Sequence, residues 1–434
     1  MDNIIFEKKI DVKYKASVVV AGGGPSGVAA AVSAARNGAK VLLIEKLGCL
    51  GGMGTAGLVP LFMGFSDSVN FYSAGIGKEV LDKMNEYSSE PIDHFGNEAI
   101  DPEALKFAYD EMVSNEKNIT LLLFSEIIDI VYKNGYIEYL IIKTRSGIYA
   151  VKGQIFIDCT GGGEIVAKTD TPCFIGDDEG NIMGATLCNL WTNIDWNKVT
   201  YNDADHLQDA FDEGIFSKLD LHLPGMVRHG KSSAGGNLGH IYNAYENDEQ
   251  ILTKAMLEGR KQAQEFLRYY KKYVDGYENV ELVSTANVLG TRELLRYKGD
   301  YTLNVEDFLN RAVFDDEIGR MHYPVDLHAS NNSKSAFDKY HAEFNEKFVY
   351  KDGDSYGVPL SCLIPKTVNN LFTAGRLLSA DRMMLATLRV MPGCFITGQA
   401  VGTAAAICGK NTRDVNIKEL QNKLKAAGAF LPNA

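Results

Sequence analysis

The chain has 434 residues, more than one small core accommodates, so two domains are expected. Its composition, 45% hydrophobic and 23% charged, is ordinary for a globular protein, and a net charge of −12 repels phosphate backbones and argues against a nucleic-acid partner. The 7 cysteines are odd in number and no pair is spaced C-x-x-C, which argues against a disulfide framework, a zinc ribbon, an iron–sulfur cubane or a thioredoxin-type pair and fits a reducing, cytoplasmic setting.

Met1-Asp2-Asn3-Ile4 has no basic region followed by an apolar stretch, so no signal peptide is expected. Three uncharged runs, 16–35, 47–66 and 390–409, each contain glycines and a proline where a loop should bend. They read as buried parts of a nucleotide-binding core, not as membrane spans.

Residues 18–20 form a short apolar strand, followed by Gly22-Gly23-Gly24-Pro25-Ser26-Gly27. A helix opens near Pro25 and stops near Asn37-Gly38, and a second strand, 41–44, is closed by Glu45. Gly22, Gly24 and Gly27 spell G-x-G-x-x-G in the context that gives the motif meaning: strand before, helix after, and an acid 18 residues beyond Gly27. Gly22 makes the tight turn, Gly24 lets the backbone approach a pyrophosphate, and Gly27 lets the helix pack on the strand. Glu45 can accept hydrogen bonds from ribose hydroxyls. Gly52, Gly54 and Gly57 repeat the pattern with no clear strand before them. They read as a loop whose amides, with the Thr55 hydroxyl, crowd the same phosphates, or as a flexible loop. Cys49 beside it reads as a small buried hydrophobe.

Asp101-Pro102-Glu103 opens a helix to about residue 114 that buries Leu105, Ala108, Tyr109 and Met112. Residues 119–124 form a buried strand. Strands 127–132 and 136–143 flank Asn134-Gly135, a strong hairpin signal, and two further strands follow at 148–151 and 155–157. The last leads into Thr160-Gly161-Gly162, where small residues permit close approach of the backbone to a ligand.

From residue 169 charge and aromatics increase, and a helical period through Leu252, Ala255, Met256, Gly259, Ala263, Phe266, Leu267 and Tyr270 marks a second domain. Its candidate catalytic groups are His322, Tyr323 and His328, because oxidising an alcohol or amine needs a proton acceptor beside the hydride acceptor. A lone histidine of this kind is more often structural. Arg292, with Glu293 and Arg296, is either part of that site or of a salt-bridged helix face. Nearer the C-terminus, Arg376, Arg382 and Arg389 either bind an anionic or polar substrate, or stabilise reduced flavin, or make buried ion pairs. Gly398, Gly402 and Ala406 give one smooth helix face, for another backbone or for a flat cofactor. Pro392-Gly393 would put the positive end of that helix toward a flavin ring. No His/Asp/Glu spacing makes a metal site.

These segments resemble the FAD-dependent oxidoreductase family, with a flavin domain of the glutathione-reductase/succinate-dehydrogenase type. The segments in question are 18–45, Gly51-Gly52-Met53-Gly54-Thr55-Ala56-Gly57-Leu58-Val59, 157–164, 290–300, 318–328 and 356–402, with Ala374-Gly375-Arg376, Arg389-Val390-Met391-Pro392 and Gly398-Gln399-Ala400 the most specific. The resemblance implies non-covalent FAD. Gly22, Gly24, Pro25, Ser26 and Gly27 would hold the pyrophosphate, with Glu45 and Lys46 at the adenosine ribose and Ile127 by the adenine. Gly52, Met53, Gly54 and Thr55 would line phosphates and ring, and Thr160 and Gly161 would stand beside the cofactor. Gly375, Arg376, Val390, Met391, Gln399 and Ala400 would lie at the flavin half. Relatives often carry a histidine where this chain has Arg382, and paired glycines where it has Met321 and His322.

The expected fold is α/β: a Rossmann-like FAD-binding domain split in sequence, 1–168 and 361–434, with an inserted α+β substrate domain, 169–360. The expected activity is hydride transfer between a small polar or anionic metabolite and flavin N5, with a diffusing electron partner. A flavin monooxygenase, a non-catalytic flavin-binding protein and a nicotinamide dehydrogenase are the alternatives. Substrate, direction and oligomeric state stay open.

Overall fold

The computed structural model describes residues 4, 7–88, 93–94, 97–199, 204–220, 225–245, 247–333, 335–336 and 346–434. Strand β1 (Val12–Ala21) is exposed at its start and buried from Val18 onward. Val18 and Val20 enter one core, with helix α1 (Pro25–Arg36), while Val19 and Ala21 enter another on the opposite face. A strand covered on both faces has no polar side to alternate with, which is why this stretch reads as a continuous apolar run.

Strand β2 (Val41–Ile44) pairs parallel with β1. Helix α2 (Pro102–Ser114) follows, capped by the Asp101 carboxylate, which accepts from the Glu103 and Ala104 amides at 3.1 Å each. Its buried face includes Leu105, Ala108, Tyr109 and Met112, as the spacing predicts. Strand β3 (Ile119–Leu122) then adds parallel to β2. Strands β4 (Glu126–Lys133) and β5 (Tyr136–Thr144) form the hairpin, with Asn134 and Gly135 at φ +52° and +78°, the left-handed pair that its turn needs. Strand β6 (Gly147–Asp158) corrects one expectation: 148–151 and 155–157 are a single strand. The cause is β1, which lies parallel along most of it and across the expected break, from Val12 opposite Ala150 to Ala21 opposite Asp158.

The chain then builds a four-stranded antiparallel sheet, in the order Met226–Arg228, Ala234–Gly236, Asn189–Thr192, Glu281–Thr285. Helix α3 (Glu249–Tyr273) supplies Phe266, Tyr269 and Tyr270 to the core beneath it, against Trp191. The cores of this inserted body reach from Ala185 to Leu289, and one of them also takes in Leu58 of the first body. By contrast Leu303, Phe308, Ile318, Met321, Tyr356 and Val358 share the core of α1. In packing terms the chain therefore rejoins the first body well before residue 361. Charged surface residues between these apolar positions disguise the return in the sequence.

Strand β7 (Leu371–Thr373) pairs parallel with β6, Thr373 opposite Asp158, and helix α4 (Met391–Ile407) follows. The parallel strands thus run β3-β2-β1-β6-β7, with β5 and β4 continuing antiparallel from the first half of β6. Helix α4 lies against α1 with backbone touching backbone. A Cβ at Gly398 would stand 2.3 Å from the Ser26 carbonyl oxygen, and one at Gly402 2.2 Å from that of Ala30. Of the two readings of this smooth face, helix packing is the one realised.

Candidate functional site

Ala21, Ile44, Asp158 and Thr373 end their strands along one edge of the sheet. A cleft opens there, where open α/β sheets bind ligands. Gly22 sits at φ +93°, and a Cβ on it would stand 2.4 Å from the Cys159 carbonyl oxygen, so only glycine fits the turn. At Gly24 a Cβ would meet nothing within 4 Å, so the backbone there borders open space. Gly24 is also the N-cap of α1 and offers no side-chain cap, leaving first-turn amides beside Pro25 and Ser26 in the cleft wall. The N-terminus of α4 is likewise without a side-chain cap, and its Met391 and Cys394 line the same cleft. Two positive helix ends therefore meet at one cavity.

At one end of the cleft stand Glu45, Lys46, Ile127 and Glu164. The Glu45 carboxylate accepts from the Gly23 amide at 2.6 Å and the Leu47 amide at 2.7 Å, one on each oxygen, and keeps lone pairs for further donors. Lys46 pairs with Glu164 at 3.2 Å. At the other end stand Met53, Leu289, Arg376, Arg389 and Met391. Arg376 donates from Nε to the Gly161 carbonyl at 2.9 Å and from Nη1 to the Thr291 hydroxyl at 2.7 Å, and so ties the Thr-Gly loop to the inserted body. That loop is organised by Asp158, fully buried, which accepts from the Thr160 amide and hydroxyl at 3.1 and 2.7 Å and from the Ile165 and Val166 amides at 2.9 and 3.1 Å. Burial pushes its carboxyl above the usual range despite these bonds.

The profile of the family described as FAD dependent oxidoreductase matches residues 17–424. The chain belongs to this family. FAD is therefore its cofactor, and the residues present fit it: a glycine turn with open space at Gly24, two uncapped helix ends for a pyrophosphate, and a carboxylate with free lone pairs for a ribose. No curated protein matches the chain in sequence. Among solved structures it is similar to a geranylgeranyl bacteriochlorophyll reductase-like protein from Thermoplasma acidophilum, at 12% identity and a TM-score of 0.47, over 96% of this chain and 84% of that one. It is also similar to a p-nitrophenol 4-monooxygenase from Pseudomonas putida, at 10% identity and TM-score 0.45 over 96% and 84%, and to an L-proline dehydrogenase from P. horikoshii, at 13% and 0.40 over 91% and 92%. Likenesses this distant fix no reaction.

Most of the residues expected to hold FAD line the cleft: Gly22 to Ser26 apart from Gly23, Glu45, Lys46, Gly52, Met53, Ile127, Thr160, Gly161, Gly375, Arg376 and Met391. Six do not. Gly27 packs α1 onto the Gly22 carbonyl, and Gly54 packs against Leu105 and Met391. Thr55 is buried, and its hydroxyl donates inward to the Leu50 carbonyl at 2.6 Å instead of facing phosphates. Val390 is the buried N-cap of α4, one residue short of the cleft wall. Gln399 and Ala400 lie more than two turns into α4, away from its N-terminus, and Gln399 accepts from the Ile76 amide at 3.1 Å. Sequence reasoning missed Cys394, Leu289 and Glu164. Cys394 stands three residues after Met391 on a helix, and that spacing was the available signal.

Of the catalytic candidates, Arg389 alone lines the cleft. Its Nη2 donates to the Asp326 carboxylate at 3.1 Å. Arg292 and His328 converge on the same carboxylate, and Tyr323 donates to it at 3.3 Å. Desolvation would raise Asp326, but His328, Arg389 and Arg292 outweigh it and hold the carboxyl far below the ordinary range. Burial, then Arg389, brings Arg292 down to about 10. His328 is not free to act as a direct base: Nδ1 meets His240 Nε2 at 3.0 Å and Nε2 meets Asp326 at 3.3 Å. Two candidates lie elsewhere. His322 is half-buried, stacked on Tyr72 at 4.4 Å. Arg382 braces Glu293 at 2.7 Å, and Glu293 in turn accepts from the Met183 amide. Nothing in the sequence marks His240 or Asp220, which come to the cluster from the inserted body.

Proposed function

We propose that this oxidoreductase moves a hydride between a small anionic metabolite and N5 of FAD. FAD supplies the hydride acceptor; the chain supplies position and charge. The observation that carries the reading is Arg389. Its guanidinium borders the cleft next to Met391, keeps 10% of its side-chain surface, and has a buried Nε with no hydrogen-bond partner among the described residues. Arg292 shares Asp326 with it, and Asp220 is a second carboxylate that acts on Arg292. A carboxylate or phosphate on the substrate would pair with the Arg389 guanidinium, and capture by that planar group would orient it.

The test is anaerobic. The purified FAD-loaded protein is screened spectroscopically for metabolites that bleach it, carboxylates and phosphates beside their uncharged analogues. Bleaching confined to anions, with Arg389→Met keeping its FAD but losing about 100-fold in bleaching rate, is expected; a lost charge-assisted contact in a dry site is worth about 3 kcal/mol. Uncharged metabolites that bleach both proteins equally fast would overturn the reading.

A further inference from the structure

A second cavity, of about 360 Å³, lies in the inserted body and shares no lining residue with the FAD cleft. Its volume is of the size that holds a small organic molecule. One wall is helix α3, which presents Glu258, Lys261, Gln262 and Glu265 to it from successive turns of one face. Phe216, Phe266 and Tyr242 add aromatic rings to the lining, the first two edge to face at 5.1 Å.

Glu265 is the anomaly of this wall. Its side chain keeps only 5% of its surface, yet neither carboxylate oxygen has a hydrogen bond among the described residues. Its ion pair is with Lys261 Nζ, one turn back and 3.7 Å away, beyond hydrogen-bonding reach and on a side chain 64% exposed. So loose a pair with a hydrated ammonium does little for a buried carboxylate. Other buried carboxylates of this chain are held closely. Asp158 accepts from three amides and a hydroxyl, Glu45 from two amides, and Glu293 from the Met183 amide and Arg382. Burial without such partners is costly, and a donor arriving from the cavity would relieve it. One turn before Glu265, Gln262 donates from Nε2 to the His240 carbonyl at 2.9 Å. Its Oε1 is left as a second acceptor with no donor among the described residues.

We propose that this cavity binds a primary organic amine, in its ammonium form, that carries an apolar aromatic body. The ammonium would donate to Glu265, a charge-assisted bond, and to Gln262 Oε1. The body would lie against the rings of Phe216, Phe266 and Tyr242, whose faces also attract a cation. A buried positive charge is what the lining lacks. The ammoniums of Lys218 and Lys261 are 53% and 64% exposed, and Lys218 is already engaged by Glu258 at 2.6 Å. Burial lowers the proton affinity of His240, which therefore adds no cation. An anion would instead meet three carboxylates in the lining, Asp220, Glu258 and Glu265. Nothing here depends on the anion site at Arg389, which belongs to the other cavity.

The test is calorimetric, on the full FAD-loaded chain near neutral pH. Phenethylamine is the probe; phenethyl alcohol and hydrocinnamate share its aromatic body and serve as neutral and anionic counterparts. The expected result is saturable binding of the amine, at least about tenfold tighter than of the alcohol, and none of the anion. Glu265→Gln keeps the shape and removes the charge, so it should weaken the amine about tenfold and leave the alcohol unchanged. Because the substitution removes a buried carboxylate that has no hydrogen bond, the variant's own Tm should hold; a fall of several degrees marks Glu265 as a structural group and refutes the site. Leu257→Arg, at an exposed position of the lining, adds a competing cation without disturbing the core and should also weaken the amine. The absorption band of FAD reports on the cleft and should stay in place as the amine saturates. Absence of saturable heat with phenethylamine, equal affinity for all three probes, a flavin band that shifts in step with the heat, or an unchanged Kd in either variant overturns the proposal.

Discussion

The contact between α1 and α4 joins the two ends of the chain, and Gly402→Ala tests it directly. The added methyl would stand 2.2 Å from the Ala30 carbonyl oxygen and 2.7 Å from its Cα. Non-bonded heavy atoms sit comfortably near ~3.5 Å, so the helices must separate by roughly 1 Å. The obstacle is backbone on a fully buried helix, not a side chain that can swing away. Overpacking of this kind costs about 1–3 kcal/mol, against which alanine recovers about 1 kcal/mol of helix propensity. The net expectation is a loss of about 1–2 kcal/mol, a fall in Tm of a few degrees for a chain of this size. The same displacement moves the N-termini of α1 and α4, so the Kd for FAD should rise about tenfold, or 1.4 kcal/mol. Thermal denaturation of the apoprotein and a flavin fluorescence titration read the two effects separately. Gly409→Ala, where a Cβ would meet only Asp414 Oδ2 at 3.9 Å, is the control. Were Gly402→Ala as stable as this control, with unchanged FAD affinity, the backbone-to-backbone packing would be wrong.

Asp158→Ala should destabilise the protein by about 3 kcal/mol or more, because the Thr160, Ile165 and Val166 amides lose their acceptor in a buried loop; a shift in urea midpoint too small for 1 kcal/mol would count against that role. Glu45→Gln keeps the shape but gives up one of the two acceptor oxygens used by Gly23 and Leu47, and FAD affinity should drop about tenfold by the same fluorescence titration. Acid should also weaken the fold. His229, His240, His322 and His328 all lie below the ordinary imidazole range, in each case mainly through burial. The unfolded chain therefore binds protons below about pH 6.5 that the native state refuses, and stability is lost as pH falls from there, by at most about 1.4 kcal/mol per unit for each group. Urea unfolding at pH 7, 6 and 5.5 checks the sign.

Elements whose cause is local were legible in the sequence. The strand–glycine–helix–strand unit, the Asp101 cap and the Asn134-Gly135 hairpin each depend on neighbours a few residues away, and each is where the spacing puts it. What depends on a distant partner was not. The single strand β6 needs β1 beside it. Thr55 looks like a phosphate ligand until Leu50 claims its hydroxyl. Gln399, within the segment that most resembles the family, points to Ile76 because a helix turns it away from its own N-terminus. Arg376, Arg382 and Arg389 are alike in composition, and only the fold separates a clamp on Gly161, a brace for Glu293 and a guanidinium in the cleft wall.

The sign of the whole chain and the sign of its site are opposite, and the physics of screening explains why both matter. A net charge of −12 is spread over an exterior in contact with salt, where each charge is felt for about 8–10 Å. Arg292 and Arg389 lie inside, with little of their side chains exposed, and their field is not diluted in that way. A polyanion would have to lie along the repelling exterior. A single small anion meets that repulsion only briefly and then enters a cleft whose wall includes the Arg376 and Arg389 guanidiniums. The same arrangement explains why Asp326 stays ionised although most of it is covered: it is stabilised by the cations that it helps to hold in place. Removing it would leave Arg292 and Arg389 facing one another, so cluster and cleft wall stand or fall together.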